Sequence, residues 1–499
     1  MTHLTEWKSL DNLLNQQKDI VIVSVPWVDT RHPLAGPASL KQPIERAGFS
    51  CLAVDTNIEI VNSINSHLYR VDLQTFFLDG IMSEAIEQEI YDSVNLLADK
   101  ILSWNPKWVG LSFLCNSTQY FGRWLIYFLR RKNKEIKIVI GGPGIGLTGS
   151  GEGDIFIDQL FESNLIDFYI QGDGEISFPE LLQGNVNYPG INGNPWQYLT
   201  SDQLENLPFP DYSDYKLNEF RGTNSVSIGI TASRGCVRNC TFCDYIETHK
   251  KFQWRRAENV FNEMLLQNQK YGTGSFLFAD ALVNGNTKEF NKLIVLLADH
   301  NDKNPDNQFK WNSFYIIRNI SADDEWVWET MKRSGAQTLA VGIEHFSQKI
   351  RYDIGKKIND DAVVHHMELA QKNKIKIIGM IMLGYPTETD PDRQINIDWL
   401  NNNSHLNDTI IFSFSLMRII PNTQVSRLKD NLGIILDARL DLNLQMKTWQ
   451  SFKNPNTIEL REQWHKDHVA AARQHGFKLD SDLYSNVQAR FILEKELAS

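Results

Sequence analysis

Short apolar runs alternating with amphipathic stretches fill most of this 499-residue chain, and that alternation constrains its fold more than any other feature. Ile20–Val25, Cys51–Val54, Trp108–Leu114, Ile136–Ile140 and Asp167–Ile170 are short and mostly rich in β-branched residues, as buried strands are. Between them Ser39–Ala47, Ala85–Leu102 and Tyr120–Arg131 carry helical periodicity. Such a chain buries its strands in a parallel sheet with helices on both faces, a doubly wound α/β fold whose ligands bind beyond the carboxyl ends of the strands. The alternation restarts at Val226. Strands are expected at Val226–Thr231, Ser275–Ala279, Lys310–Ile317, Thr338–Ile343, Ile375–Leu383 and Thr409–Leu416. Helices are expected at Ala257–Tyr271, Lys288–Asp299, Asp323–Ser334, Asp361–Asn373 and Pro391–Asn401. The chain thus divides into residues 1–195, a linker over 196–222, a second strand–helix series over 223–430 and a helical C-terminal region over 431–499.

Three of the five cysteines stand together in Ser233-Arg234-Gly235-Cys236-Val237-Arg238-Asn239-Cys240-Thr241-Phe242-Cys243, just after the first strand of the second series. Three thiolates on one short loop can hold one face of an iron–sulfur cube. A four-iron cube has four corners, so one iron is left open to a small molecule. A structural zinc site is the alternative. Zinc takes four closed ligands, usually in two separated pairs. Cys51 and Cys115 stand alone in apolar segments and read as core residues. His249, six residues beyond Cys243, is then the candidate fourth ligand.

Composition narrows the function. Hydrophobic residues at 42% and charged residues at 22% describe an ordinary globular chain. No apolar stretch reaches membrane-spanning length. The first twenty residues, with Glu6, Lys8, Asp11 and Lys18, lack the apolar centre of a signal peptide. Clustered cysteines argue against a disulfide framework and for a reducing cytoplasm. A net charge of −11 disfavours a broad nucleic-acid surface. Arg130, Arg131, Lys132, Lys134 and Lys137 form either a local basic patch or a solvated helix end.

The cysteine spacing, with Phe242 before the third cysteine, resembles the radical S-adenosylmethionine (radical SAM) superfamily, in which the open iron of a 4Fe–4S cluster holds the amino and carboxylate groups of SAM. The N-terminal series resembles the cobalamin-binding domain found in one class of that superfamily. Pro37-Ala38-Ser39-Leu40, Gly172-Asp173-Gly174-Glu175 and Leu207-Pro208-Phe209-Pro210-Asp211-Tyr212 carry this likeness. It implies a Rossmann-like cobalamin-binding-type domain followed by a partial (β/α)6 barrel. Around the corrin it implies Asp55, Thr56 and Asn57, Ser112 and Phe113, Gly141, Gly142 and Gly144, and Gly172, Asp173 and Glu175. The Asp-x-His-x-x-Gly motif that supplies a histidine to cobalt is absent, and Asp29, His32 and Gly36 match it only superficially.

On the barrel, the resemblance implies Asp280 near the SAM amino group and Glu344, in Gly342-Ile343-Glu344, near the SAM ribose and methionine. It implies Gly384, in the loop Gly384-Tyr385-Pro386-Thr387-Glu388 after Gly379–Leu383, at the SAM site, with glycines on the fifth strand leaving room for adenine. Arg318 suits the SAM carboxylate or an anionic substrate. Tyr245 is placed to approach the substrate or the cobalamin face, and Arg418 ends the sixth strand. A satisfied polar group at a loop start is the alternative for each. The implied chemistry is reductive cleavage of SAM to a 5′-deoxyadenosyl radical, used for cobalamin-dependent methylation of an unactivated carbon. Cyclisation, rearrangement or oxidation without methyl transfer, with a structural N-terminal domain, is the second reading, and a non-catalytic metal-binding scaffold is a remote third. The implied partners are a small-molecule or peptide substrate and an electron donor such as flavodoxin or ferredoxin.

Overall fold

The computed structural model describes residues 17–26, 32–57, 60, 83–115, 118–146, 155–220, 226–249, 251–440 and 442–481. Asp29, singled out by sequence, lies outside them. The chain divides into two compact units, residues 1–229 with 266–275 and residues 230–265 with 276–499.

In the first unit, β1 (Ile20–Ser24), β2 (Cys51–Asp55), β3 (Trp108–Ser112), β4 (Lys137–Gly141) and β5 (Phe168–Ile170) pair in parallel in the order β2-β1-β3-β4-β5. Every residue of β1 and β2 is buried because helices cover both faces. Side chains alternate between those faces. Val21, Val23 and Ile138 pack with Ile90, Leu97 and Leu125 of the helices Glu84–Ser103 and Gln119–Lys132. Ile20, Ile22 and Val139 pack with Ile44, Phe178 and Leu181 of the helices Ala35–Arg46 and Gly174–Leu182. Each such side chain contributes roughly 1.5–3 kcal/mol on burial. The order reverses between β1 and β3, which sets the ligand crevice of a doubly wound sheet at their carboxyl ends.

The segment before the second sheet is bound to this unit. Thr200 and Gln203 form a capping box on the helix Ser201–Asn206. Asp211 accepts from Lys270 Nζ at 2.7 Å and Tyr271 Oη at 2.9 Å. Asp214 pairs with the buried Lys41 at 2.5 Å and accepts from Ala53 N at 3.0 Å. The Leu207–Tyr212 signature is thus a clasp. The basic run at 130–137 is largely neutralised: Asp167 pairs with Arg130 at 2.6 Å and Lys137 at 2.9 Å, and Asp99 with Lys132 at 2.5 Å.

The second sheet has seven strands. They are β6 (Ser227–Ile230), β9 (Ser275–Phe278), β10 (Lys310–Tyr315), β11 (Ala336–Glu344), β12 (Lys376–Leu383), β13 (Ile410–Leu416) and β16 (Lys478–Leu479), in the order β16-β13-β12-β11-β10-β9-β6. β7 (Ser233–Arg234) and β8 (Gln253–Trp254) form a separate antiparallel pair, as do β14 (Ile434–Ile435) and β15 (Gln450–Ser451). The C-terminal region contains the helices Leu442–Thr448 and Ile458–Gln474, but it also supplies β14, β15 and the edge strand β16. Two-residue strands carry no periodicity and leave no sequence signal.

Parallel register sets the uncovered face of this sheet. Phe314, Ala340, Ile378 and Ile411 stand side by side across four strands, followed by Gly342, Met380 and Ser413. Their neighbours in sequence, such as Tyr315, Val341 and Ile381, are buried on the other face. Phe314 sits on an interior strand yet is 45% exposed. In parallel barrels the chemistry lies at the carboxyl ends of the strands.

Candidate functional site

The cysteine loop begins at Ser233 and is tied down on several sides. Asp280, at the end of β9, is buried and accepts from Ser233 Oγ at 2.5 Å and Ala232 N at 3.1 Å. Gly235 has φ +85°, and a β-carbon there would come within 2.5 Å of the Lys251 carbonyl, so only glycine fits this turn. Its N–H donates to Tyr245 Oη at 3.3 Å. Arg238 donates to the carbonyls of Lys356 (2.5 Å) and Ile317 (3.1 Å). Thr241 N donates to Ile354 O at 2.9 Å, and Thr241 Oγ1 bonds Tyr385 Oη at 2.8 Å.

Cys240 is buried, while Cys236 and Cys243 are partly exposed. Burial pushes the Cys240 thiol up, and it pushes Cys243 up to about 11 despite a bond to the Tyr245 backbone. Thiols in this setting become thiolates when a cation stabilises them. Among the described residues no three His, Cys, Asp or Glu side chains converge to hold a single metal ion. The His249 ring stacks on Tyr245 with centroids 4.5 Å apart. Three thiols on one short loop are the donor set a four-iron cube would take, one thiolate per corner.

Glu344, at the end of β11, stays at the carboxyl edge. Its backbone is left-handed, with φ +66°, beside a register shift that turns the strand end. Its carboxylate pairs with Lys356 Nζ at 2.9 Å, and Lys356 also donates to Gly342 O at 2.5 Å. Burial opposes the charge on Lys356, but Glu344 and Cys240 beside it raise its pKa overall. Arg318, half-buried at the end of β10, donates to the carbonyls of Asn284 (3.0 Å) and Gly285 (3.3 Å). Phe242 packs against the apolar cluster of Ile350, Tyr385 and Trp449. Arg418 is exposed.

The side of Gly384 on which a β-carbon would project holds Arg461, 2.4 Å from that position. Lys356, Arg238 and Arg461 were not singled out by sequence. Their partners are mostly main-chain carbonyls distant in the chain, which leave no motif.

Burial pushes Asp280 up to about 7, against the lowering effect of the Ser233 and Ala232 donors. A carboxyl that binds its proton more tightly when folded adds stability in full below pH about 4. That contribution is lost as pH rises through about 7. We therefore expect Asp280→Asn to flatten the decline of stability between pH 4 and 7. The difference should be a few kcal/mol at most, on the order of 1.4 kcal/mol per pKa unit. Urea titrations of both proteins across that range check it; parallel pH profiles would refute it.

The first unit gives a mixed answer at its strand ends. Asp55 is fully buried and turned inward, accepting from Ser24 Oγ (2.8 Å), Leu34 N (2.7 Å) and Asn57 N (3.0 Å). Burial raises its pKa. Gly142 and Gly144 admit the backbone of Phe113 and Cys115, and Gly172 admits Trp196, each within 3 Å of a would-be β-carbon. These three glycines therefore have a packing reason within the unit. Asp173 accepts from Leu199 N at 2.8 Å, and Glu175 lies in the first turn of the helix Gly174–Leu182. Ser112 and Gly141 end β3 and β4, partly exposed, in register with each other.

Comparison with known proteins agrees with this geometry. Residues 230–400 match the Radical SAM superfamily. Over 432 residues the chain is 26% identical to MJ0865 of Methanocaldococcus jannaschii, named as a methylthiotransferase, covering 79% of this chain and 85% of that protein. It is 24% identical over 318 residues to the uncharacterized methyltransferase PH0819 of Pyrococcus horikoshii, covering 60% of this chain and 65% of that one. Among solved structures, the radical SAM methyltransferase TsrM of Kitasatospora setae, with cobalamin and a [4Fe-4S] cluster bound, superposes with TM-score 0.64. Identity is 15%, over 91% of this chain and 88% of TsrM. The cobalamin-dependent radical SAM enzyme OxsB superposes with TM-score 0.63 at 13% identity, over 90% of this chain and 65% of OxsB. Residues 230–400 thus match a radical SAM domain, and the chain has the fold of TsrM and OxsB. Among the described residues no helix is long and apolar enough to cross a membrane.

Proposed function

We propose that this chain cleaves SAM reductively at a 4Fe–4S cluster held by Cys236, Cys240 and Cys243, and uses the resulting radical for cobalamin-dependent methylation of an unactivated carbon. The observation that carries this reading is the rigid three-cysteine loop at the carboxyl edge of a parallel sheet, next to Glu344. When bound, the cluster supplies the electron that splits SAM into methionine and a 5′-deoxyadenosyl radical. Cobalamin, where bound, supplies the methyl group.

The protein's own residues hold and orient. Glu344, steadied by Lys356, accepts hydrogen bonds from the SAM ribose or ammonium. Arg318 offers its guanidinium to the SAM carboxylate or to an anionic substrate. Tyr245, braced by Gly235 and His249, lines the loop on the substrate side. The uncharged row from Phe314 to Ile411 suits an apolar part of the substrate, either a small molecule or a peptide. An electron donor such as flavodoxin or ferredoxin completes the reaction, in a reducing cytoplasm. Ser112 and Gly141 at the β1/β3 crevice are the strand-end positions we retain for the corrin.

Loss of SAM affinity without loss of iron is expected for Glu344→Ala, by about tenfold or more, as for removal of a charge-assisted bond. Anaerobic equilibrium dialysis measures it, and unchanged affinity would remove Glu344 from the SAM site. A second reading, radical chemistry without methyl transfer, is favoured by the inward bonding of Asp55 and the packing role of Gly142, Gly144 and Gly172. Corrinoid content separates the two. Protein purified anaerobically from cobalamin-fed cells should retain corrinoid with the absorbance of a form lacking a histidine ligand. SAM cleavage with no retained or added corrinoid would leave the second reading standing.

A further inference from the structure

Beyond the strands, the segment from Trp449 to Arg461 wraps one loop of the barrel edge. Asn456 is fully buried, and its Nδ2 donates to Gly384 O at 3.0 Å. Arg461 is fully buried as well. It donates to Asn456 Oδ1 (2.7 Å), Lys447 O (2.7 Å) and Trp449 O (3.0 Å), and its guanidinium lies 4.2 Å from the centre of the Trp449 ring. Its aliphatic stem fills the space beside Gly384, whose φ of +88° already excludes most side chains. Asn454 Nδ2 donates to the carbonyls of Pro386 and Glu388. From within the loop, Glu388 accepts from Gly384 N at 2.6 Å and Tyr385 N at 3.1 Å. Tyr385 Oη then reaches Thr241, between the second and third cysteines, at 2.8 Å.

This is a continuous chain of bonds from the C-terminal helix to the cysteine loop. Buried arginine is costly, and here its donors go to main-chain carbonyls and one amide, so the side chain is fixed to a backbone shape rather than to an opposite charge.

We propose that Asn456 and Arg461 are positioning residues: they set the Gly384–Glu388 loop, and through Tyr385 and Thr241 the cysteine loop, in the geometry that SAM requires. The inference rests on the reading that SAM binds at this edge. Neither residue touches SAM; each acts through the loop.

The test uses the full-length, cluster-reconstituted protein and variants Asn456→Ala, Arg461→Lys and Arg461→Met. Iron and sulfide content and the thermal midpoint report structure. The KM for SAM in 5′-deoxyadenosine formation, and the change in the reduced cluster's EPR spectrum on adding SAM, report position. We expect intact clusters in Asn456→Ala and Arg461→Lys with KM raised about tenfold, as for residues one shell removed from a metal site, and a weakened EPR response. Arg461→Lys, which keeps one donor group, should lie between wild type and Arg461→Met. If the Arg461 variants do not fold, Asn454→Ala reads the same loop from a partly exposed residue. Wild-type KM and EPR response in both Asn456→Ala and Asn454→Ala would overturn the proposal. Wild-type protein that holds its cluster but neither binds nor cleaves SAM would instead overturn the SAM reading on which it stands.

Discussion

Replacing any one of Cys236, Cys240 or Cys243 by alanine is expected to abolish SAM cleavage, while Cys51→Ala and Cys115→Ala retain it. The loop offers three thiols and a cube with an open corner requires all three, so no spare ligand can take over. Cys51 is buried in β2, and burial raises its thiol pKa well above the ordinary value, as in an inert core cysteine. The loss should exceed the roughly 10–100-fold effects of residues one shell removed from a metal. Iron content and 5′-deoxyadenosine formation under anaerobic conditions measure it. Full activity in a protein lacking all three cysteines would remove the cluster assignment.

Lys356→Met is expected to destabilise the metal-free protein by about 3–5 kcal/mol, the usual cost of leaving one member of a buried ion pair alone. Lys356 and Glu344 are 9% and 12% exposed, so solvent does little to screen the charge left behind. The same substitution removes the donor to Gly342 O. The double variant Lys356→Met with Glu344→Gln should recover much of the loss, because no unpaired charge remains. Urea unfolding of the three proteins provides the measurement. A loss under about 1 kcal/mol for the single variant is what an exposed pair would give, and would contradict the buried-pair account.

Much of the fold was legible because burial leaves a periodic trace. The helix Ala257–Tyr271 falls where its apolar spacing puts it, and the six expected strands of the second series were located to within about two residues, while β16 was missed. Both faces of β1 are covered, and a continuous run of Ile and Val is the mark of such a strand. The three-cysteine loop was legible because its thiols are close together in sequence. Asp280 was located correctly at a strand end, but sequence could not show which way its carboxylate turned. Gly172 to Glu175 was legible as a strand end, though Gly174 already begins a helix. Lys356 and Arg461 left no trace, since one buried cation finds its carboxylate across a helix and the other finds carbonyls brought near only by folding. Glycines at 142, 144 and 172 carry a real signal, a close approach of chain to chain, which sequence alone cannot distinguish from close approach of a ligand.

The edge strand β16 bears on how the protein is made. It pairs Lys478 and Leu479 with Ile411 and Phe412, so β13 lacks its outer neighbour until that late stretch of chain has been synthesised. During translation an unpaired parallel edge carrying Ile411 and Phe412 is open to the wrong partner. Shielding of this edge on the nascent chain is therefore expected to govern the soluble yield, and ribosome-stalled chains ending before residue 478 are the species in which aggregation should first be seen.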